Sequence, residues 1–364
     1  MFLNCFYNLE NVTCRNVIDL HVSCFVTSRA RKGYYPLGKA RISDVARLAG
    51  VSTATVSHVI NNTRFVSEAT RQRVLQSIAE LDYSPNEMAR ILKTGKKKLI
   101  GFIVPDISNE YFSALIEEVE RTVASQSYKL IVTNTRENEQ NELDSVRALT
   151  SGMVDGLLVA STAHSFKALR DAVPEDFPVV LVDRTFPDST FSSLIISSHR
   201  AVYQGVTAMI EKGHKNIGYI AGLQHISTAI ERLRAYKDAL NDSHIPIRED
   251  LICFGDSMHN SGNLYVGQLL KRGCTAIAIS NNAMAEDVIY YCHKHGVVIG
   301  KDVDILTSNL DDRRYYYLGK MGYVRQPALE LAQAAGQQIM DCITNPNAPA
   351  KDKIFQAAYM EIGG

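Results

Sequence analysis

The sequence has no CxxC pair and no zinc-knuckle spacing. Its seven cysteines, Cys5, Cys14, Cys24, Cys253, Cys274, Cys292 and Cys342, are odd in number. That pattern argues against a disulfide framework and for reduced thiols, with Cys253 and Cys274 acting as small apolar residues inside strand-like runs. No stretch approaches eighteen apolar residues, and the N-terminus lacks a basic start followed by an apolar core. Neither secretion nor membrane insertion is therefore expected, and a cytoplasmic location is. The GxGxxG and GxxxxGK[ST] phosphate motifs, HExxH and GxSxG are also missing. No nucleophile with its base, and no matched acid and base, can be assembled from the motifs present. The chain reads as a binding protein rather than an enzyme, with no cofactor and no metal.

Net charge is absent as well, with 39 basic and 39 acidic residues in 364. The balance hides a dipole. From Lys39 to Lys98 eleven basic residues face five acidic ones, a net of +6; residues 1 to 38 add +2, so the remainder carries −8. A compact basic module joined to an acidic body points to a polyanion partner for the module and a different partner for the body. A hydrophobic content of 46% over this length suits two or three domains.

Residues 1 to 38 show no usable periodicity and remain an unassigned extension. From Arg41 to Leu81 apolar residues recur at helical spacing and predict three short amphipathic helices. Gly50 closes the first, Ser52 caps the second, and Ser67 with Glu68 caps the third against its exposed amides. Ser84-Pro85-Asn86-Glu87 then forms a complete capping box, yet the helix it opens runs only to about Lys93. So short a helix does not persist alone. The Lys96-Lys97-Lys98 run beside it nominates phosphate as what orders it.

Beyond Leu99 the pattern changes to strand and helix in alternation. Apolar runs lie at Leu99 to Val104, Leu130 to Val132, Val154 to Ala160, Val179 to Val182, Leu194 to Ile196, Ile217 to Ala221, Ala276 to Ile279 and Val303 to Leu306. Such runs between helices predict parallel sheets covered on both faces, and their number predicts two α/β subdomains with a cleft between them. Asp106, Asp155 and Asp183 are read as cleft acids at strand C-terminal ends.

In the basic module, a helix ending at Gly50, a short link and a second helix make a helix-turn-helix. Thr53, Ala54, Thr55, Ser57 and His58 face outward, while Val56, Val59 and Ile60 face inward. Thr53 and Ala54 suit thymine methyls or phosphate, and His58 suits a guanine edge or a phosphate. A packing module with merely solvated polar residues remains the alternative on spacing alone.

The run from Arg41 to Asn62, RISDVARLAGVSTATVSHVINN, resembles the lactose-repressor (LacI/GalR) family of bacterial transcription regulators. So do Val66 to Arg71, Tyr83-Ser-Pro-Asn86, Ala89-Arg-Ile-Leu92, Ile100 to Asn109, Val154-Asp-Gly156, Val182-Asp-Arg184, Gly213-His214, Ile220-Ala-Gly222 and Val324-Arg-Gln-Pro327. The resemblance implies a helix-turn-helix headpiece over 39 to 83, a hinge helix and linker over 84 to 98, and an effector-binding and dimerisation domain over 99 to 364. That domain would hold two Rossmann-like subdomains of the periplasmic-binding-protein type, the first at about 99 to 196 plus 325 to 364 and the second at about 197 to 324. The last helix is expected over Ala328 to Ile343. No heptad tail follows, so a dimer rather than a tetramer is expected.

The implied function is a transcriptional regulator, most often a repressor, binding a pseudopalindromic operator as a homodimer under control of a small-molecule effector. Candidate DNA contacts are Ser52, Thr53, Ala54, Thr55, Ser57, His58 and Asn61, with Asn86, Arg90 and Leu92 on the hinge helix. Leu92 matches the leucine that wedges into the minor groove. Candidate effector contacts are Asp106, Asn109, Tyr111, Phe112, Ser161, Arg232, Asn281, Asn282 and Asn309. Arg232 offers a rigid fork of donors to a sugar, a sugar derivative or a small anion. Three departures from the family pattern stand out. Asn281-Asn282 replaces the usual Asn-Asp, Thr307-Ser308-Asn309-Leu310 replaces a Gly-aromatic-Asp-Asp run, and His58 stands where many members carry arginine. Losing two cleft carboxylates weakens a plain hexose model and favours a ligand with acceptors or negative charge. A solute-binding protein or enzyme on the same body, an activator, and an adaptor protein as effector remain open alternatives.

Overall fold

The computed structural model describes residues 40–84, 95–258, 261–308, 321–346 and 348–362. Asn86, Arg90, Leu92, Asn309 and the whole of residues 1 to 38 lie outside them. The chain forms two compact units, Met1–Met88 and Ala89–Gly364.

The first unit holds α1 (Ile42–Ala49), α2 (Thr53–Asn61) and α3 (Glu68–Glu80). Val45, Ala46, Ala49, Val56, Val59 and Val74 are its buried core. The turn between α1 and α2 depends on Gly50, whose φ of 66° is left-handed and closes α1 on the carbonyls of Ala46 and Arg47. Ser52 caps α2, its hydroxyl accepting from the Thr55 amide at 3.1 Å. Ser67 does not cap α3: its hydroxyl donates to Thr70 Oγ1 at 2.9 Å, a side-chain partner that competes with the amides.

The second unit contains two six-stranded sheets. The first is built from β1 (Leu99–Val104), β2 (Lys129–Asn134), β3 (Gly156–Val159), β4 (Val179–Asp183) and β5 (Ser192–Ser197). Helices α4 (Glu110–Ala124), α5 (Glu139–Thr150) and α6 (Phe166–Ala172) connect them. After α7 (His199–Glu211), the second sheet takes β6 (Ile217–Ala221), β7 (Ile252–Phe254), β8 (Ala276–Ile279), β9 (Asp304–Ser308) and β10 (Met321–Arg325). Its connecting helices are α8 (Ser227–Asp242), α9 (Ser261–Lys271) and α10 (Asn282–His295). The chain returns through α11 (Ala328–Thr344) and ends in β11 (Lys353–Gln356) and β12 (Ala358–Ile362).

Each sheet is covered on both faces, as near-continuous apolar strands require. The strand orders are β11-β5-β4-β3-β1-β2 and β12-β10-β9-β8-β6-β7. β1 and β6 therefore sit at the points where connections depart in opposite directions, and the loops after them open the crevices in which α/β proteins bind ligands.

The structure corrects the expected boundaries in one respect. Residues 325–364 do not all join the first subdomain. The Ala357 amide donates to the Ser197 carbonyl at 3.0 Å, and beyond it β12 pairs antiparallel with β10 in the second sheet. Tyr359 supports that return by packing on the second subdomain's core. Asp155 is also relocated. It precedes β3, at the end of the strand away from the cleft, and accepts from the Lys97 and Lys98 amides at 3.0 and 2.8 Å. Cys253, Cys274 and Cys292 are buried free thiols, and burial pushes the last two up to about 11, which keeps them protonated and inert. No helix among the described residues is long and apolar enough to cross a membrane.

Candidate functional site

The headpiece surface begins with α2. Thr53 and Ala54 in its first turn are exposed. The Thr55 hydroxyl pairs with Ser52 Oγ at 2.9 Å, so both are held at the helix start. Asn61 is folded back, its Nδ2 donating to the Ser57 carbonyl at 2.9 Å and to Ser57 Oγ at 3.3 Å. Asn62, in the left-handed conformation that ends the helix, accepts from Arg71 Nη1 at 3.1 Å. Ser52, Thr53, Ala54, Thr55, Ser57, His58 and Asn61 thus share one short helix and its cap.

The second site lies between the two subdomains. It is lined by Asp106, Asn109, Tyr111 and Phe112 from the end of β1 and the start of α4, and by Glu137, Asp183 and Arg184. From the other side come Thr228, Arg232, Ser257, Asn281, Asn282, Ser308 and Gln326. Helix starts deliver two of these: Asn109 caps α4, accepting from the Tyr111 amide at 3.0 Å, and Asn281 caps α10, accepting from the Met284 amide at 3.0 Å. The side-chain amides of Asn109 and Asn282 then pair reciprocally across the cleft at 3.1 and 2.9 Å.

The charges are buried and mostly matched. Arg184 grips Glu137 with two bonds of 2.8 and 2.6 Å, and Tyr111 donates its hydroxyl to Asp183 at 2.5 Å. Burial pushes the Asp183 carboxyl above its ordinary range and the Tyr111 hydroxyl well above its own. Asp183 also holds a φ of 68°, a strained setting for a non-glycine residue beside a binding site. Arg232, only 6% exposed, differs from its neighbours. Its Nη1 donates to the Ser280 carbonyl at 2.6 Å, its Nε has no partner, and no described carboxylate lies within 4.0 Å. Gln326 Nε2 is likewise buried without a partner. The unmet groups on these two residues are donors, and Arg184 Nε is a third.

The inner void measures about 50 Å³, far below the roughly 300–1,000 Å³ of small-molecule sites, so this arrangement is closed. A wider crevice of about 760 Å³ opens beside it, lined by Phe166, Phe186, Ile230 and the imidazoles of His164, His199 and His225. The Thr185 amide, donating to Ser227 Oγ at 3.2 Å, joins the subdomains at its edge. The inner cleft is the better effector candidate despite its size, because it gathers buried arginines and carboxylates from both subdomains, whereas the unmet polar atom of the wider crevice is a single imidazole nitrogen, His225 Nε2. No group of three histidine, cysteine or acidic side chains among the described residues is placed to hold a metal.

Residues 97–354 match the model of periplasmic binding proteins and the sugar-binding domain of the LacI family, and residues 41–86 match the model of bacterial regulatory proteins of the lacI family. The chain belongs to the LacI family. It is a sequence-specific DNA-binding transcriptional regulator with the family's headpiece and α/β body. It is 32% identical over 327 residues to the HTH-type transcriptional repressor PurR of Vibrio atlanticus, covering 89% of this chain and 96% of the relative. With the protein of that name from Photobacterium profundum it shares 34% over 315 residues, 85% of this chain and 93% of the other. Among solved structures, the lac repressor bound to ONPG in the repressed state superposes with a TM-score of 0.76 at 22% identity, covering 89% of this chain and 98% of that one. A CelR–cellobiose complex gives 0.66 at 24% identity, with 89% and 100% covered.

Within this LacI-family body, the structure brings together Asp106, Asn109, Tyr111, Phe112, Arg232, Asn281 and Asn282. Ser161 is not among the lining residues. Its hydroxyl donates to the buried Glu142 at 2.6 Å and its carbonyl accepts from Arg184, so it supports the cleft from behind. Glu137, Arg184, Ser257, Thr228 and Gln326 line the cleft without having been singled out as effector contacts. Arg184 follows the C-terminal end of β4, so strand position alone marks it; Glu137 sits in a turn with φ of 52° and carries no local signal.

Proposed function

We propose that this regulator is a repressor that binds a pseudopalindromic operator as a homodimer and is switched by a small molecule, a sugar, sugar derivative or small anion, in the inner cleft. The observation that carries the effector half is Arg232, a buried guanidinium with an unpartnered Nε and no described carboxylate within 4.0 Å, in a cleft where Arg184 is paired with Glu137. Burying such a group without a partner is costly, and a ligand oxygen relieves the cost. Support for the repressor half comes from the relatives, which are transcriptional repressors by name, and from similarity to a lac repressor dimer bound to operator. On the family resemblance, Asn86, Arg90 and Leu92 are assigned to DNA contact, Leu92 at the operator centre, and Asn309 to effector contact.

Two measurements on the full-length protein test the reading. Selection from a random duplex library is expected to enrich an inverted repeat; enrichment of an asymmetric site would remove the dimer. A thermal-shift screen of sugars, sugar phosphates, nucleobases and small acids is expected to yield a stabilising hit that vanishes in Arg232→Ala, since ligand binding to the folded state raises stability by mass action. A hit unaffected by that change would place the effector elsewhere.

A further inference from the structure

Neither the inner cleft nor the headpiece surface uses Asp155 or the lysines that precede β1. They meet each other. The Asp155 side chain, 7% exposed, accepts from the Lys97 amide with Oδ1 at 3.0 Å and from the Lys98 amide with Oδ2 at 2.8 Å. Lys97 Nζ lies 3.7 Å from the same carboxylate. Lys98 is held at two further points. Its carbonyl accepts from the Lys129 amide at 3.0 Å, and its Nζ stands 4.3 Å from the centre of the buried Tyr128 ring. Its φ of 61° is left-handed, a conformation that a lysine keeps where its surroundings impose it. Asp155 is itself fixed, its amide donating to the Leu99 carbonyl at 2.8 Å. The carboxylate thus ties the chain entering β1 to the segment that leads into β3.

We propose that Asp155 is a positioning residue for operator binding: by holding the Lys97 and Lys98 amides it fixes where the chain that carries the headpiece leaves the α/β body. The inference rests on the operator-binding reading above. Two charge-assisted bonds to consecutive amides set direction as well as place, which a single contact from a flexible lysine side chain does not. A segment already ordered on the body costs less to order on DNA. The saving counts where the headpiece must sit in one register on one sequence. Binding to random duplex draws on phosphate neutralisation and does not need a fixed exit point. The ion pair alone has the opposite consequence. Asp155 draws Lys97 onto the body, so a carboxylate that merely masked a lysine would, once uncharged, strengthen binding to every duplex.

The test uses two full-length variants. Asp155→Asn keeps one acceptor but sets an NH2 group against the other amide, and Lys98→Pro removes one of the two amides while leaving Asp155 in place. Trypsin digestion followed by mass spectrometry reads the clamp directly: cleavage after Lys97 and Lys98 is expected to be about tenfold faster in Asp155→Asn than in the wild type. An unchanged rate overturns the inference. Affinities are then measured for random duplex and for the sequence that the wild type selects from a random library, with and without a small-molecule extract of cells. Both variants are expected to lose about tenfold on the selected sequence and less than about twofold on random duplex. Lys97→Ala, which keeps both amides, is expected to preserve the wild-type ratio between the two. Equal losses on both duplexes, a gain on both, or Lys97→Ala reproducing the other variants overturns the inference. Failure of the wild type to select any sequence overturns the operator-binding reading itself, a result distinguishable from these.

Discussion

Glu142 is a carboxyl whose surroundings change its chemistry. On α5 and fully buried, it accepts from Ser161 Oγ and Thr162 Oγ1, each at 2.6 Å, and from the Thr162 amide. Burial nevertheless pushes its carboxyl above the ordinary glutamate range, against the pull of those bonds and of Arg184. A carboxyl raised in this way binds its proton more tightly folded than unfolded. Its contribution to stability is complete below the unfolded value, about 4.3, and is lost as pH rises through the folded value. Thermal denaturation of wild type and Glu142→Gln between about pH 4 and about pH 8 checks this: the wild type should lose ground against the variant as pH rises, and parallel curves would contradict it. Glu142→Ala, which strands three donors, should cost about 3 kcal/mol near pH 4 and less as pH rises. Ser161 was readable as a residue near the strand ends but not as a partner of Glu142, because the two meet only once β3 and α5 have packed.

Elements were legible where their periodicity was strong. The apolar runs at Leu99–Val104, Ile217–Ala221 and Ala276–Ile279 coincide with β1, β6 and β8, since strands buried on both faces leave unbroken hydrophobic blocks. β7 has three residues, and β11 and β12 are edge strands with alternating or exposed faces, so their sequences resemble loops. β10 was hidden by Val324-Arg-Gln-Pro327, which signals a helix start and indeed precedes α11, yet the strand runs to Arg325 before the helix begins. Close helix contact left a subtler mark in glycine. A Cβ on Gly262 of α9 would stand 2.1 Å from the Met284 carbonyl oxygen and 2.9 Å from Asp287 Cβ on α10. Because the obstacle is backbone, α10 must move. Gly262→Ala is expected to cost about 1–3 kcal/mol in urea denaturation with an unchanged m-value. Since α10 begins with Asn281 and Asn282, the same change should weaken any cleft ligand; unaltered stability would mean that α9 and α10 do not pack this closely.

At the scale of the whole α/β body, two subdomains are joined by three chain crossings, near Ser198, Gln326 and Ala357, and meet across a cleft that is nearly shut. The cleft itself was legible from strand order and the family's residues, but its closure was not, because it depends on a reciprocal amide pair between residues 173 positions apart. Asn109 cannot turn its amide over, for its Oδ1 also accepts from the Tyr111 amide at 3.0 Å. Asn282 must therefore supply the donor, which aspartate in the same place lacks when ionised. Asn282→Asp would set a carboxylate oxygen against Asn109 Oδ1, removing one bond and adding a repulsion, at a cost to the closed form of about 1–3 kcal/mol. Each step of about 1.4 kcal/mol is a tenfold change in the ratio of closed to open body. Spin labels at Glu120 and Lys294, one on each subdomain, should report a longer or broader distance distribution in the variant. By linkage, a ligand that prefers the closed body should bind more weakly in proportion to the fraction of closed body lost. Unchanged distances with unchanged affinity would show that the crossings, rather than the amide pair, hold the subdomains together.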